Sequence, residues 1–219
     1  MVRVVLFFAL VLIHCNVFAT AQAPDWLIYK GKKYALHVNP LEELFLKNED
    51  LLPETNVISS GNWRGYTATF KIVRNKLYVT KITVKKYNQE DDYFYQETVT
   101  KTVFPKKTDR RMDWYSGLLV IPKGEELAYV HQGYSSIYEK YLLIKISEGK
   151  IKETVEMTDQ EYLSYKIRQF EEYKKTPEYL QVLNELTEDS KPDDDFDNEG
   201  FIFRIGEFTQ KIDIPFKSE

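Results

Sequence analysis

Histidine is the side chain in this sequence that is best suited to acid–base chemistry at neutral pH. His37 and His131 lie beyond the N-terminal leader, and His131 falls in the run Tyr-Val-His-Gln-Gly-Tyr of residues 129–134, at a predicted strand end. An imidazole there can act as a general base or contact a ligand. A strand-end histidine that is hydrogen-bonded to the backbone is the simpler interpretation, and we favour it.

A hydrolase would need an acid and a nucleophile beside His131, and the sequence offers scattered candidates. Asp113 or Glu139 would serve as the acid, and Ser116 or Ser136 as the nucleophile. None of these serines lies in a Gly-x-Ser-x-Gly turn, which exposes the nucleophile in α/β-hydrolases. We therefore assign no catalytic residue. His131, Asp113 and Ser116 remain weak candidates that would have to converge in the fold.

An acidic run near the C-terminus is similar to a calcium loop but lacks two essential positions. Asp193, Asp195 and Asp197 have the spacing of the first three EF-hand ligands. Asn198 stands where the sharp turn needs glycine, and Arg204 where a bidentate glutamate is needed. The two histidines have no zinc-site spacing, and no glycine-rich phosphate loop occurs. We expect no metal site and no cofactor.

Three segments place tryptophan or tyrosine beside glycine at predicted strand ends. They are residues 62–66 (Asn-Trp-Arg-Gly-Tyr), 113–117 (Asp-Trp-Tyr-Ser-Gly) and 129–134, and we name them the first, second and third aromatic corners. Glycine allows close backbone approach, and aromatic rings offer flat faces with polar tips. Aromatic packing at sheet corners would explain the same pattern. The alternative is a shared pocket that binds a small ligand or a partner protein through Trp63, Arg64, Tyr66, Trp114, Tyr115, His131, Tyr134 and Tyr138.

A β-sheet must position these corners, and residues 63–87 predict it most clearly. Apolar and polar residues alternate over residues 66–72, and Arg74-Asn75 suits the turn of a hairpin. The apolar positions of the returning strand change parity partway, which predicts a β-bulge near Thr80-Lys81.

Helical periodicity appears mainly late in the chain. Asn39 and Pro40 form the start signal of one short early helix. A capping box of Thr158 and Glu161 begins a helix over residues 158–175, whose predicted apolar face is Leu163, Ile167 and Phe170. The other predicted elements are strands at 26–29, 33–38, 93–104, 113–121, 127–131, 137–146 and 151–157, a turn at 122–124, and a helix at 177–186.

The short connections favour antiparallel pairing. We therefore predict an α+β fold that is mainly antiparallel β: a curved sheet, as a sandwich or partly closed barrel, with a late two-helix segment packed on it. Residues 22–219 would form a single domain. Residues 188–199 would be an acidic flexible linker, and residues 200–216 a terminal hairpin that docks back on the sheet.

Residues 1–21 have the features of a secretory signal peptide. Arg3 precedes an apolar run over residues 4–13, and Ala21 ends a small-x-small cleavage site. An uncleaved anchor is the alternative, but the apolar run is short for a membrane span. Cys15 is the only cysteine, and His14 before it makes a poor lipidation signal. We expect a periplasmic or secreted protein that has no disulfide and does not span a membrane after cleavage.

The formal net charge of −4 gives no basic surface excess for nucleic-acid binding. In the aromatic corners the chain resembles uncharacterised bacterial exported proteins. The resemblance consists of Gly-x-x-Tyr-x-Leu-x-x-Asn-Pro-Leu-Glu at residues 31–42, Trp-Arg-Gly-Tyr at 63–66, Trp-Tyr-Ser-Gly at 114–117, and Tyr-Val-His-x-Gly-Tyr at 129–134 followed by Tyr138-Glu139. It covers residues 26–155, implies a location in the bacterial envelope, and implies no activity.

Together these features favour an exported bacterial binding or interaction module that uses the aromatic corners. An envelope immunity or inhibitor role would be one version of it. A hydrolase that uses His131 with a nearby acid is the first alternative, and a purely structural envelope domain is the second. The ligand or partner is not identified by the sequence.

Overall fold

A computed structural model of the protein describes residues 21–189 and 197–217. Eight strands alternate with short helices in the first part of the chain, and three helices follow the last strand. The strands are β1 (Asp25–Tyr29), β2 (Lys32–Leu36), β3 (Tyr66–Val73), β4 (Lys76–Asn88), β5 (Tyr93–Thr98), β6 (Gly117–Ala128), β7 (Ile137–Ser147) and β8 (Lys150–Thr158). The helices are α1 (Glu42–Lys47), α2 (Thr100–Val103), α3 (Asp159–Tyr173), α4 (Pro177–Asp189) and α5 (Asn198–Ile205).

All eight strands belong to one sheet, in the order β2-β1-β3-β4-β8-β7-β6, with β5 paired to β4. Neighbouring strands pair antiparallel, except that β1 and β3 run parallel to each other. The N–H of His37 donates to the carbonyl oxygen of Val120 at 2.9 Å, so the two ends of the curved sheet approach each other without closing. The predicted α+β, mainly antiparallel fold is confirmed.

The β3–β4 hairpin has the turn and the bulge that its sequence predicts. Arg74 and Asn75 both have positive φ, 48° and 67°, as a two-residue hairpin turn requires. Thr69 pairs with Lys81 while Phe70 pairs with Val79, which leaves Thr80 unpaired. The bulge returns the apolar side chains of β4 to the core face.

Three predicted strands have different bounds in the structure. The strand expected over residues 93–104 ends at Thr98, and α2 follows it. The strands expected at 113–121 and 127–131 form one strand, β6, so the turn expected at Pro122–Gly124 was wrong. Gly124 adopts a φ of 79° at an irregularity in the pairing with β7 instead. Because β6 ends the sheet, the missing N–H of Pro122 is tolerated there.

Two helix predictions also need correction. The capping box of Thr158 and Glu161 at the start of α3 is confirmed. However, Leu163 and Ile167 are 50% and 46% exposed, while α3 packs through Tyr165, Gln169, Phe170 and Tyr173. Tyrosine and glutamine rank low in hydrophobicity, so the apolar spacing indicated a face that is rotated from the packed one. Likewise α1 begins at Glu42 rather than at Pro40, and its N-cap makes no side-chain bond.

The C-terminal segment is helical, so the predicted hairpin over residues 200–216 was wrong. Asp197 caps α5 by accepting from the N–H of Gly200 at 2.9 Å, and Gly206 ends it with a φ of 70°. The segment does dock on the rest of the chain, because Gln169 donates from Nε2 to the carbonyls of Thr209 and Ile212. Most of the predicted acidic linker lies outside the described residues, as does the leader except for Ala21.

Candidate functional site

The first and third aromatic corners lie together in the structure. Nη2 of Arg64 is 3.5 Å from the hydroxyl of Tyr134. The chain before β1 runs between them: the N–H of Gln22 donates to the carbonyl of Gly133 at 3.1 Å, and the N–H of Ala23 to that of Gly61 at 2.6 Å. Residues 21–23 therefore join the two corners into one wall.

The second corner does not line the same site. Trp114 and Tyr115 precede β6, and Tyr115 and Ser116 line a different cavity, together with Asn39, Pro40 and Gln210. Tyr115 is buried, and its hydroxyl has no hydrogen-bond partner among residues 21–189 and 197–217, whereas Trp114 is 42% exposed. The structure thus brings together two of the three corners, and the single pocket that we expected from all three does not form.

Arg64 and Asp25 form a buried ion pair beneath the joined corners. Nη1 of Arg64 is 3.2 Å from Oδ2 of Asp25, and both side chains are fully buried. The carboxylate also accepts from the N–H of Ala68 at 2.7 Å, and Nη2 of Arg64 donates to the carbonyl of Ala23 at 2.8 Å. Arg64 therefore anchors the chain before β1 to β3 and is inaccessible to a ligand, which corrects its predicted role.

For Asp25 and for Arg64 alike, burial and the charge of the partner shift the pKa in opposite directions. Desolvation raises the pKa of the Asp25 carboxyl, although Arg64 and the Ala68 N–H oppose that rise. Desolvation also disfavours the charge on Arg64, but Asp25, followed by Tyr134, Tyr66 and Glu42, together outweigh it, and the pKa of the guanidinium is raised. Since an arginine remains charged at all ordinary pH values, Asp25 is the counter-charge that Arg64 requires.

The polar tips of the neighbouring tyrosines are also bonded within the protein. The hydroxyl of Tyr66, a fully buried residue, donates to Oε1 of Glu42 at 2.6 Å, and that of Tyr134 donates to Oδ1 of Asn39 at 2.8 Å. Asn39 is thus a partner of Tyr134 and not the helix cap that we predicted. Tyr66 is structural, whereas Tyr134 is half-buried and still presents a ring to solvent.

A pocket of about 380 Å³ opens between the joined corners and α5. We call it the Trp63 pocket, because the indole of Trp63 is 50% exposed at this site. Its wall combines aromatic rings, amide and hydroxyl groups, and one carboxylate; the residues that matter most are Gln22, Ser60, Trp63, Tyr134, Phe201 and Glu207. A cleft with aromatic walls and a few polar groups is typical of a small-molecule site.

Glu207 is the one charged side chain among the described residues that line this pocket. Burial by the surrounding walls raises the pKa of its carboxyl, although the side chain keeps some exposed surface. The charge of Lys211 lowers that pKa, while Glu42 and Glu178 raise it further. Lys211 itself forms an ion pair with Glu178. Glu207 is therefore the group in this wall that favours a cation when its carboxyl is ionised.

Gln22 lies in the wall, but its carbonyl oxygen does not face the pocket. Its Nε2 donates to the carbonyl of Ser60 at 2.9 Å, while its Oε1 is buried and has no hydrogen-bond partner in the part of the chain that the structure describes. A buried carbonyl oxygen without a donor is costly, and its burial keeps it away from a ligand in the pocket.

The candidate residues of the hydrolase alternative have other contacts in the structure. His131 follows β6, whereas Ser116 precedes it and accepts from the N–H of Glu148 at 2.9 Å. Asp113 forms an ion pair with Arg111. Glu139 accepts from the N–H of Glu125 at 3.1 Å. The ring of His131 stands edge-on to that of Tyr129, with centroids 4.4 Å apart.

His37 and Tyr138 complete the surroundings of Tyr134. The rings of His37 and Tyr134 are stacked with centroids 5.0 Å apart, and Tyr138 meets His37 edge-on at 5.4 Å. Burial, and then the charge of Lys166, lower the pKa of His37 to about 4. The hydroxyl of Tyr138 donates to Glu126 at 2.9 Å. Tyr138 thus packs behind the pocket and does not line it.

Sequence reasoning missed Glu207, Phe201 and Gln22. Glu207 and Phe201 lie in the segment that we predicted as a hairpin, although Asp197 and Gly206 carried the start and stop signals of a helix. Gln22 carried no signal, because its role depends on where the chain before β1 lies.

Within residues 21–189 and 197–217, no group of three potential metal-binding side chains is present. In the same residues, none of the helices has the length and apolar character that crossing a membrane would require. The chain matches no protein-family model, and neither curated proteins nor solved structures show a similar protein.

Proposed function

We propose that the protein is a binding module whose Trp63 pocket takes a small organic amine. The observation that carries the proposal is a concave, partly aromatic site whose one charged wall residue among those described is Glu207. The amine would donate to Glu207, and its apolar part would lie against Trp63. Ammonium groups beside indole faces gain cation–π attraction as well.

The setting of this module is part of the proposal. The leader predicted for residues 1–21 and the resemblance to bacterial exported proteins support a location in the bacterial envelope. An immunity or inhibitor protein that recognises an amine-bearing partner group would be one form of such a module.

Calorimetric titration with phenethylamine tests the pocket. We expect saturable binding that weakens about tenfold or more in Trp63→Ala, because the stacking surface is lost. Glu207→Gln keeps the shape but removes the charge, and should weaken binding by roughly ten- to a hundredfold. 2-Phenylethanol has a hydroxyl in place of the ammonium. It should bind the wild type about as weakly as phenethylamine binds Glu207→Gln.

Trp114→Ala is the matched control. Trp114 is exposed to a similar extent as Trp63, at 42% against 50%, but belongs to the second corner. We expect phenethylamine to bind this variant as it binds the wild type. Equal weakening by Trp63→Ala and Trp114→Ala, or no effect of Glu207→Gln, would contradict the proposal.

A further inference from the structure

A second cavity lies on the other side of Tyr134, enclosed by α3, α5 and the start of β7, with a volume of about 220 Å³. Its wall is largely apolar and includes Ile137, Tyr162, Leu163 and Phe203. Ile137 and Leu163 are 43% and 50% exposed, although both are large aliphatic side chains. An apolar ligand in the cavity would cover them.

The wall also includes Lys166, whose ammonium group has no carboxylate partner among the residues that the structure describes. Its Nζ lies 4.7 Å from the centroid of the Phe203 ring. In the described part of the chain, no carboxylate oxygen is within 4.0 Å of Nζ. The other cationic wall residue, Arg204, is already occupied, because its Nε donates to Gln132 at 3.1 Å and its Nη1 is 3.8 Å from Asp197.

The charges in the cavity are separated along α3. Asp159 lines the cavity at the start of the helix, and Lys166 lies seven residues later, about 10 Å along the axis and on the same side. An anionic group would therefore be repelled from the Asp159 end and attracted to Lys166. Burial lowers the pKa of Lys166 to about 8, which leaves the amine mostly protonated at neutral pH.

We infer that this cavity binds a small organic monocarboxylate. The carboxylate would accept from Nζ of Lys166, and the hydrocarbon part would pack between Tyr162, Leu163 and Phe203. A volume of 220 Å³ corresponds to roughly seven waters at about 30 Å³ each, so it suits a compact acid such as benzoate. The inference does not depend on the amine proposal, because the two pockets have opposite charge.

Calorimetric titration with benzoate, together with amide chemical shifts, tests this site. We expect saturable binding with shifts centred on Ser135, Leu163 and Phe203. Lys166→Met should weaken it at least tenfold, because the charged hydrogen bond is lost. Lys123→Met is the control, since Lys123 pairs with Glu156 on the surface of the sheet, and benzoate should bind it unchanged. Benzamide, the neutral counterpart of benzoate, should bind the wild type at least tenfold more weakly.

Each contrary result would overturn the inference. An absence of saturable benzoate binding to the wild type would do so, as would equal affinity in Lys166→Met or equal binding of benzamide. Trp63→Ala should leave benzoate affinity unchanged. A loss of benzoate binding in that variant would place the acid in the Trp63 pocket and exclude the second site.

Discussion

The buried pair of Arg64 and Asp25 gives the sharpest stability prediction. Asp25→Asn keeps the shape and the acceptor for the Ala68 N–H but removes the counter-charge of a fully buried guanidinium. At 3.2 Å, two unit charges interact by about 5 kcal/mol with an effective dielectric constant of about 20. Breaking a buried pair by removing one partner typically costs about 3–5 kcal/mol. We therefore expect a loss of about 4 kcal/mol in the free energy of unfolding.

Urea unfolding followed by circular dichroism measures this loss. For a chain of this size it corresponds to a fall in Tm of roughly 8–16 °C. Glu156→Gln is the matched control, because its pair with Lys123 is 33% and 44% exposed and should contribute about 1 kcal/mol at most.

A double variant separates the charge from the packing. Adding Arg64→Met to Asp25→Asn removes the buried guanidinium that the single variant leaves without a counter-charge. The double variant should recover most of the stability that Asp25→Asn loses. Two results would show that Asp25 does not balance the charge of Arg64. One is a loss of unfolding free energy in Asp25→Asn no larger than that in Glu156→Gln, and the other is a double variant less stable than Asp25→Asn alone.

Three further predictions concern pH and packing. The fold lowers the pKa of His37 from 6.5 to about 4. The folded state is therefore fully stabilised above pH 6.5 and loses about 3 kcal/mol of its free energy of unfolding as the pH falls towards 4 and below. The raised pKa of Glu207 makes phenethylamine binding weaken as pH falls, beginning above 4.5, the ordinary value for that carboxyl. Gly117→Ala should cost about 1–3 kcal/mol, because the new Cβ would lie 2.6 Å from the carbonyl oxygen of Gln210.

Unfolding titrations at several pH values test the prediction for His37, and the variant His37→Gln should lose this acid sensitivity. Titrations with phenethylamine between pH 4 and 7 test the prediction for Glu207, and a pH response that persists in Glu207→Gln would count against it. Thermal unfolding of Gly117→Ala tests the packing prediction, and an unchanged Tm would show that the C-terminal segment does not pack against Gly117.

The hairpin of β3 and β4 could be predicted in detail because its signals are local. A parity change in the apolar pattern located the bulge at Thr80, and Asn75 located the turn. The start of α3 was equally clear, since the capping box of Thr158 and Glu161 is a contact between neighbours in sequence. Elements that depend on distant partners were less predictable: α5 contains two phenylalanines and two isoleucines, which also suit a strand.

The site was partly predictable for the same reason. Trp63 and Tyr134 have the residue types of a binding wall, and the fold brings their corners together. Nothing local distinguishes Arg64, which is buried with Asp25, from an arginine that faces a ligand. Nor does the sequence reveal that the second corner lines a different cavity from the other two, because that depends on how distant segments pack.

A crystal structure of the protein with phenethylamine would locate the binding site. We expect the amine in the Trp63 pocket, with its nitrogen within about 3.2 Å of a Glu207 carboxylate oxygen and its ring against the indole of Trp63. An amine bound only at Trp114 or elsewhere, or an empty pocket at a saturating concentration of the amine, would contradict this expectation.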